Sequence, residues 1–430
     1  MSLLLLLGGA GTPPPPADGI PNFSVEIAFG YTWQDANPTW TDVSDYVLDE
    51  FSEERGRSRE LDTFQTGSFS FTLINDDRRF DPWYDAGPYY GMLKPNVPVR
   101  VRVEWGLTYT IFRGFIDGWP QTYTQTNVMA HVPVNCSDAF KLLAQMELTS
   151  ATFTFDDPDL GFDMGRFGGE GIDGEQLSGE RIDALLDLAG WPEELRDIDT
   201  GTTVCQSQTT TGSALDALQV VEKSEDGFLY VSAEGVITFV GRFGRTDLTR
   251  MNTSQATFSD ATDGTYEDIT YPYDDQLIYN DVRRTREGGV EQSVEDADSI
   301  GSYFRKVHTE SGLVMSTDAQ AQALAVVFLE RYKEPQQRID GLTIDPNNDP
   351  TEQYPHVLGL DILDRITVTR TPQEVGDPIS EDYWIQGISH SWSGFQWRTS
   401  YYVTPVDQFE WFTFDDDALG LFDTGGVFAP

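Results

Sequence analysis

Basic residues are scarce in this chain. Its 430 residues include 71 Asp and Glu but only 28 Lys and Arg, which gives a formal net charge of −43 at pH 7. DNA, RNA and anionic membranes would be repelled by the average surface of such a protein. The excess of acidic over basic residues indicates a well-hydrated soluble surface, or a surface past which nucleic acid must move without being bound.

Cysteine and histidine are also rare. Cys136 and Cys205 form no CxxC motif and allow at most one disulfide, so the sequence favours two buried thiols in a reducing compartment. The histidines are far apart in the chain: His131, His308, His356 and His390. These spacings predict no metal site and no cofactor.

Long hydrophobic runs are missing. The longest leucine run, Leu3–Leu7, is too short for a transmembrane helix, which needs about 20 apolar residues. The first basic residue is Arg55, so a secretory signal is not indicated, and we expect no stable membrane anchoring. Leu3–Leu7 is expected to be either a strand in its own domain or an arm docked on another subunit. The prolines Pro13–Pro16 favour the arm, because they form a stiff spacer.

Sequence motifs of catalysis are absent as well. The chain has no GxxxxGK[ST], no HExxH and no GxSxG. The segment 345–350, DPNNDP, begins like a calcium loop, but Pro350 and His356 stand where glycine and glutamate belong, so it predicts a turn. The segment 75–91 predicts a loop held by Asp–Arg pairs.

We therefore expect no enzyme. One enzymatic alternative stays open, because a chain so rich in carboxylates can always supply a glycosidase pair. A sugar cleft would then be lined by aromatic residues of the segment 75–91, which we call the acidic loop: Trp83, Tyr84, Tyr89 and Tyr90.

Sequence patterns typical of β-strands are abundant. Apolar residues alternate with polar ones at period two, for example over 97–105, where Arg100 and Arg102 lie on the polar face. We expect these two arginines to be paired with carboxylates or turned to a subunit contact. Helices are predicted to start at four caps: Ser137, Ser178, Ser213 and Thr317. A hairpin is predicted to turn at Glu234-Gly235.

Two internal similarities indicate the architecture. The segments 109–119 and 383–392 share a Tyr-x-Ile, a glycine and a tryptophan, which suggests two similar β-barrels. The segments 153–163 and 412–423 both carry FTFDD followed by Leu-Gly. This second repeat is expected either to be a strand ended by an Asx turn, which the residues favour, or to be a shared cation or docking site.

The expected fold is mainly β with α/β insertions, in which two similar β-barrels flank two small inserted domains. The expected divisions are an N-terminal arm at 1–22, a first barrel at 23–150, a linker at 151–170, an α/β insertion at 171–245, a second insertion ending in a helix at 246–345, a second barrel at 346–408 and a C-terminal arm at 409–430.

Several stretches resemble one family. These are MSLLLLLGG, RGRSRELDTFQTGSFSFTLINDDRRFDP, FRGFIDGWP, SALDALQVVEKSEDGFLYVSAEGVITF, YNDVRRTREGG and WFTFDDDALGLFD. In this order they are similar to minor tail proteins of the baseplate-hub or tail-tip hub type, from long-tailed bacteriophages of actinobacteria. The resemblance covers nearly the whole chain. It implies the barrel, insertion, insertion, barrel order given above, with two tail-tube-like β-barrels flanking the two inserted domains.

The resemblance also implies a function. Such hubs are trimeric virion proteins at the tail tip, assembled in the host cytoplasm, that adapt the sixfold tail tube to threefold tip components and surround the DNA ejection channel. The implied partners are a distal tail protein or tube ring, a tape-measure protein, other tip proteins and passing DNA that is not tightly bound. The alternative is a carbohydrate-active enzyme or receptor-binding module. Subunit interfaces are expected at the two arms, through Leu3, Leu4, Leu5, Leu6, Leu7, Phe412, Phe414, Asp415 and Asp416.

Overall fold

The computed structural model describes residue 16 and residues 19–123, 130–153, 176–244, 249–260, 266–372, 376–394 and 396–406. The predicted arm residues Leu3–Leu7, the residues Phe412, Phe414, Asp415 and Asp416, and the repeat after residue 153 lie outside these ranges.

Strands dominate the described part of the chain, as the alternating pattern predicts. The first twelve are β1 Asn22–Ile27, β2 Thr41–Asp42, β3 Val47–Gly56, β4 Gln65–Ile74, β5 Val97–Trp105, β6 Leu107–Ile116, β7 Thr122–Tyr123, β8 Ala130–Ser137, β9 Glu147–Phe153, β10 Gln176–Leu177, β11 Arg196–Ile198 and β12 Val204–Cys205. The next twelve are β13 Gln208–Ser213, β14 Phe228–Val231, β15 Ile237–Val240, β16 Ala256–Ser259, β17 Asp268–Thr270, β18 Asp281–Arg286, β19 Gln292–Glu295, β20 Val307–Leu313, β21 Gly341–Ile344, β22 Arg365–Arg370, β23 Ile379–Ser393 and β24 Gln396–Pro405.

Helices occupy the connections between strands. They are α1 Ala139–Gln145, α2 Ser178–Leu188, α3 Ala214–Glu225, α4 Thr249–Asn252, α5 Ala297–Tyr303, α6 Asp318–Tyr332 and α7 Pro350–Gly359. Short 3₁₀ turns lie at Ser44–Tyr46, Glu193–Leu195 and Pro346–Asn348. The expectation of a mainly β fold with small α/β insertions is confirmed.

Two of the predicted helix caps are confirmed and two are wrong. The Ser213 hydroxyl accepts from Asp216 N at 3.0 Å, and the Thr317 hydroxyl accepts from Gln320 N at 3.3 Å. Ser137 instead ends β8, and Asp138 caps α1 because its carboxylate accepts from Phe140 N. Ser178 lies inside α2, where its hydroxyl donates to the Glu225 carboxylate.

One antiparallel-rich sheet joins strands from the beginning and the end of the described chain. Its main path runs β17-β21-β24-β23-β3-β4-β8-β6-β5-β1-β2, with β7, β16 and β22 attached at the side. β16, β17 and β21, from the predicted second insertion, pair here with strands of the 346–408 region or with each other. The rest of that insertion forms a separate small sheet, β19-β18-β20, against which α6 packs.

The other predicted insertion holds the α2–α3 pair beside the three-stranded sheet β11-β15-β14. The hairpin β14–β15 turns at Gly235, as predicted, and the turn closes with Gly235 N donating to Ser232 O at 2.9 Å. Both cysteines are buried and unpaired, as expected. The α2–α3 insertion packs onto the large sheet through a shared apolar core, whereas α6 and β18 share a separate apolar cluster.

Candidate functional site

The seam between β3 and β23 joins the first and last β regions. Gly56 lies opposite Gly387, and the pairing continues to Glu50 opposite Ser393. Gly56 has φ +97°, and a Cβ there would lie 2.3 Å from the Gln386 carbonyl oxygen. A Cβ on Gly387 would lie 2.6 Å from the Arg57 carbonyl oxygen. Glycine at both positions therefore permits the close approach of the two strands.

Buried charges lie beneath this seam. The Arg55 guanidinium donates to Glu53 at 2.6 Å and to Asp361 at 2.7 Å. The second Asp361 oxygen accepts from Ala233 N at 3.0 Å. Asp361 therefore connects the first β region, the α2–α3 insertion and the last β region through one carboxylate.

Burial shifts the pKa values of three ionisable groups near the seam. It raises the pKa of Glu53 to about 7, although the Arg55 charge acts in the opposite direction. It raises the pKa of Asp138 to about 7, against hydrogen bonds from Gly67 N and Phe140 N. It lowers the pKa of His390 to about 3, so this imidazole is neutral at pH 7.

The solvent face of the sheet on both sides of the seam carries small polar side chains. Ser391, Ser52, Ser70 and Asn135 occupy one row across four strands. Ser52 Oγ and Ser70 Oγ lie 2.8 Å apart. The opposite face of the same strands is largely buried and apolar, so alternation turns this row outward.

Charges on this outward face are few and mainly acidic. The described charged residues there include Glu50, Glu54 and Arg398, with Glu267 and Asp268 at its margin. Arg398 donates to Glu267 at 2.7 Å, so its charge is compensated. We call this surface, from Thr343 across β24, β23, β3 and β4 to Asn135, the hydroxyl face.

The two arginines on the polar face of β5 are also compensated. Arg100 lies 2.5 Å and Arg102 lies 2.7 Å from the carboxylate of Glu26 on β1. Arg100 also stacks over Trp40, with its guanidinium carbon 4.6 Å from the ring centroid. The expected carboxylate pairing of both residues is confirmed.

The acidic loop is locked by ion pairs, as predicted. Arg78 lies 2.8 Å from Asp81, and Arg79 lies 2.6 Å from Asp77. The segment 345–350 is a turn in which Asp345 accepts from Asn347 N at 2.9 Å, which also agrees with the sequence.

The aromatic residues proposed for a sugar cleft differ in their surroundings. Tyr89 stacks on Phe29 at a centroid distance of 3.8 Å, against the core. Trp83 is 85% exposed. Tyr89 therefore packs against the core, whereas Trp83 faces solvent.

Neither a metal centre nor a membrane span is found in the part of the chain that the structure describes. Its histidines, cysteines and carboxylates form no group of three or more that could hold a metal ion. Among its helices, none has the length and apolarity needed to cross a bilayer.

Sequence reasoning missed the Arg55 cluster. Glu53 and Arg55 continue the period-two register of the buried Phe51, and both are buried. Two opposite charges at inward-facing positions of one strand could have indicated a buried ion pair. Their partner Asp361 is 306 positions from Arg55 and cannot be found by local pattern.

Comparison with known proteins was made by sequence and by structure. No family model matches the chain, and no curated protein matches it in sequence. Among solved structures, a tail protein from Neisseria meningitidis MC58 has a TM-score of 0.56 and 11% identity, covering 90% of this chain and 97% of its own. The 43 kDa tail protein of prophage MuSo2 from Shewanella oneidensis has a TM-score of 0.50 and 11% identity, covering 89% and 97%. The chain shares the fold of these tail proteins.

Proposed function

We propose that this chain is a structural minor tail protein of a bacteriophage and that three copies form a ring-shaped hub at the tail tip. The observation that carries the proposal is the single sheet that runs through the first and last β regions, joined at the Gly56–Gly387 seam. The fold shared with tail proteins supports the same assignment.

Three copies of a chain with two β regions give six β units around an axis. Such a ring can face a sixfold tube on one side and threefold tip proteins on the other. The ion pair between the buried Arg55 and the partly exposed Asp361, together with the continuous sheet, favours a fixed orientation of the two β regions. Each chain would then act as a rigid third of the ring.

The hydroxyl face is proposed to line the axial channel. Serine hydroxyls hold a water layer, and the small surplus of glutamate repels phosphate. Lys and Arg contacts would instead release counterions and retain the duplex. The paired state of Arg398 supports a wall past which DNA moves without tight binding.

The proposed hub needs no catalytic residue and no cofactor. Its proposed partners are a tube ring or distal tail protein, a tape-measure protein and other tip proteins, with assembly in the host cytoplasm. Leu3–Leu7 and the residues Phe412, Phe414, Asp415 and Asp416 are proposed to contact neighbouring subunits. Each fully buried leucine would contribute about 1.5–3 kcal/mol before entropy costs.

The assembly is tested by mass photometry and negative-stain electron microscopy of the purified chain, and by immunogold labelling of intact particles. We expect a threefold ring with an axial hole and label at the tail tip. A dimer, or a chain that stays monomeric both alone and in particles, would contradict the hub.

A further inference from the structure

Exposed apolar side chains are concentrated at one end of the first β region. Eleven large apolar side chains are exposed in the described part of the chain, and four of them lie in the acidic loop, directly after it or on β7. Trp83 is 85% exposed, and the other three are Tyr90, Met92 and Tyr123. We call these four residues the aromatic rim. A concentration of exposed aromatic residues is typical of surfaces that bind another polypeptide.

The aromatic rim is carried by an ordered scaffold. Five successive turns close the acidic loop at intervals of three residues, each by a backbone hydrogen bond of 3.0–3.2 Å. The donors are the N–H groups of Arg78, Asp81, Tyr84, Gly87 and Tyr90. The Gln121 side chain donates to Phe80 O at 2.9 Å, and Tyr123 Oη lies 3.5 Å from Asp81 Oδ2, so β7 adjoins the loop. Because the loop is already ordered, binding to it costs little conformational entropy.

The N-terminal arm starts at the other end of the same β region. β5 begins at Val97, shortly after the acidic loop, and Asn22 at the start of β1 lies opposite Glu104 near the end of β5. The strand from Val97 to Glu104 covers about 23 Å at about 3.3 Å per residue. The chain from Leu7 to Ile20 can span at most about 45 Å. An arm of this length can therefore pass from one end of the β region to the other.

The chain bends just before β1, because Gly19 N donates to Pro16 O at 3.0 Å. The arm that precedes this bend therefore need not continue in line with the strand. The polyproline sequence Pro13–Pro16 is a stiff spacer, which favours contact with another copy over contact with the body beside β1.

Charge favours this arm over the other terminal segment as the occupant of the aromatic rim. Residues 1–16 contain no Asp, Glu, Lys or Arg, whereas residues 407–430 contain six acidic residues and no basic one. Both arginines of the acidic loop are already paired, Arg78 with Asp81 and Arg79 with Asp77. An acidic segment would gain no free arginine there and would be repelled by the net negative surface, whereas an uncharged leucine run is not repelled.

We propose that the aromatic rim of one copy binds the leucine arm, Leu3–Leu7, of a neighbouring copy. The inference rests on the proposed hub, in which the arm contacts a neighbouring subunit, and it identifies the surface that receives the arm. Leucine side chains would cover the exposed faces of Trp83 and Tyr90, and both surfaces would leave water. The arms would then link each copy to the next.

The test is photo-crosslinking in the full chain. Leu5 is replaced by p-benzoylphenylalanine, the assembled protein is illuminated, and mass spectrometry maps the residues that are joined. A crosslink between copies runs at twice the chain mass on a denaturing gel, whereas a crosslink within one chain does not. Mass photometry of the same preparation reports whether rings are present.

Two double variants are compared in the crosslinking chain. Trp83→Ser with Tyr90→Ser removes the two exposed aromatic side chains of the loop. The matched control is Tyr273→Ser with Phe304→Ser, which removes aromatic side chains that are 73% and 70% exposed elsewhere. All four side chains are exposed, so neither variant is expected to unfold the chain. Free peptides of residues 1–16 and 407–430 are added in parallel as competitors.

We expect crosslinks between copies that map to the acidic loop, Met92 or β7. The yield should fall about tenfold or more in the Trp83 and Tyr90 variant and stay unchanged in the control. The peptide of residues 1–16 should suppress the crosslink, and the acidic peptide should not.

Rings whose arms crosslink to another surface, or within their own chain, would overturn this inference and leave the hub intact. Equal loss of yield in both double variants, or equal competition by both peptides, would overturn it too. Crosslinks between copies at the aromatic rim in a preparation without rings would support the docking surface and contradict the hub.

Discussion

Arg55 Nη1 lies 2.7 Å from Asp361 Oδ1, and the two residues are 306 positions apart in the chain. Arg55 is 4% exposed, and its other short contact is with the buried Glu53. Replacing Arg55 by methionine leaves two carboxylates without their cation in the seam. We expect a loss of about 3–5 kcal/mol in the free energy of unfolding, measured by urea denaturation.

The control for Arg55→Met is Arg79→Met. Arg79 pairs with the half-exposed Asp77, and such pairs contribute about 0–1 kcal/mol. Equal destabilisation by the two variants would show that the buried pair is not what holds the seam.

Gly56→Ala tests the close approach of β3 and β23. The new Cβ would lie 2.3 Å from the Gln386 carbonyl oxygen, so the strands must separate. Gly376→Ala is the matched control, because Gly376 has φ +95° but no neighbouring atom within 4 Å. Both variants carry backbone strain, and we expect Gly56→Ala to cost at least about 1–3 kcal/mol more. Thermal unfolding of the two purified variants measures the difference, and identical melting curves would argue against the seam.

Glu222→Gln should change how stability depends on pH. Burial raises the pKa of Glu222 from 4.5 to about 7. The folded state therefore binds more protons than the unfolded state between these values, so this group's contribution falls as pH rises through that range. Glutamine does not titrate. Between about pH 4.5 and pH 8, the free energy of unfolding of Glu222→Gln should therefore fall by roughly 2–3 kcal/mol less than that of the wild type.

The measurement for Glu222→Gln is urea denaturation at several pH values. The introduced glutamine keeps a carbonyl acceptor for Leu229 N, which limits other effects of the substitution. The same series for Glu234→Gln, on the exposed hairpin turn, is the control. A wild-type curve as flat as that of Glu222→Gln would contradict the assignment.

The hydroxyl face can be made basic without changing the core. Ser52→Lys combined with Ser391→Lys adds two cations in one row of the sheet. If this face lines the channel, three copies place six added cations around the duplex, and DNA binding that weakens with salt should appear. Gel shifts at about 0.05 and 0.15 M salt measure it. Ser302→Lys with Thr309→Lys, two exposed sites elsewhere, adds equal charge, and equal binding by this control would refute the channel wall.

Deleting residues 2–8 tests the arm. The proposed contact of Leu3–Leu7 with a neighbouring subunit predicts a smaller oligomer by light scattering and an unchanged melting temperature of the body. A control deletion of residues 424–430, which removes seven residues from the other terminus without touching Phe412 or Phe414, should leave assembly intact. A fall in melting temperature with assembly unchanged would place the leucines in the chain's own core.

Local structure followed from the sequence at several elements that bury one face. The alternation over 97–105 predicted β5, and the caps Ser213 and Thr317 predicted the starts of α3 and α6. Ser137 was wrong because Asp138 offers a carboxylate one residue later. Propensity and capping act within a few residues, so these features can be found without the fold.

The sequence by itself also determined the acidic balance, the buried free thiols and the ion-paired acidic loop. Only the tertiary structure decided that Arg55 meets Asp361, that β16, β17 and β21 join the sheet of the last region, and that Tyr123 on β7 lies beside Asp81 of the acidic loop. These relationships link residues far apart in the chain. Local pattern carries no information on which distant carboxylate a buried arginine will meet, because chain topology and packing select that partner.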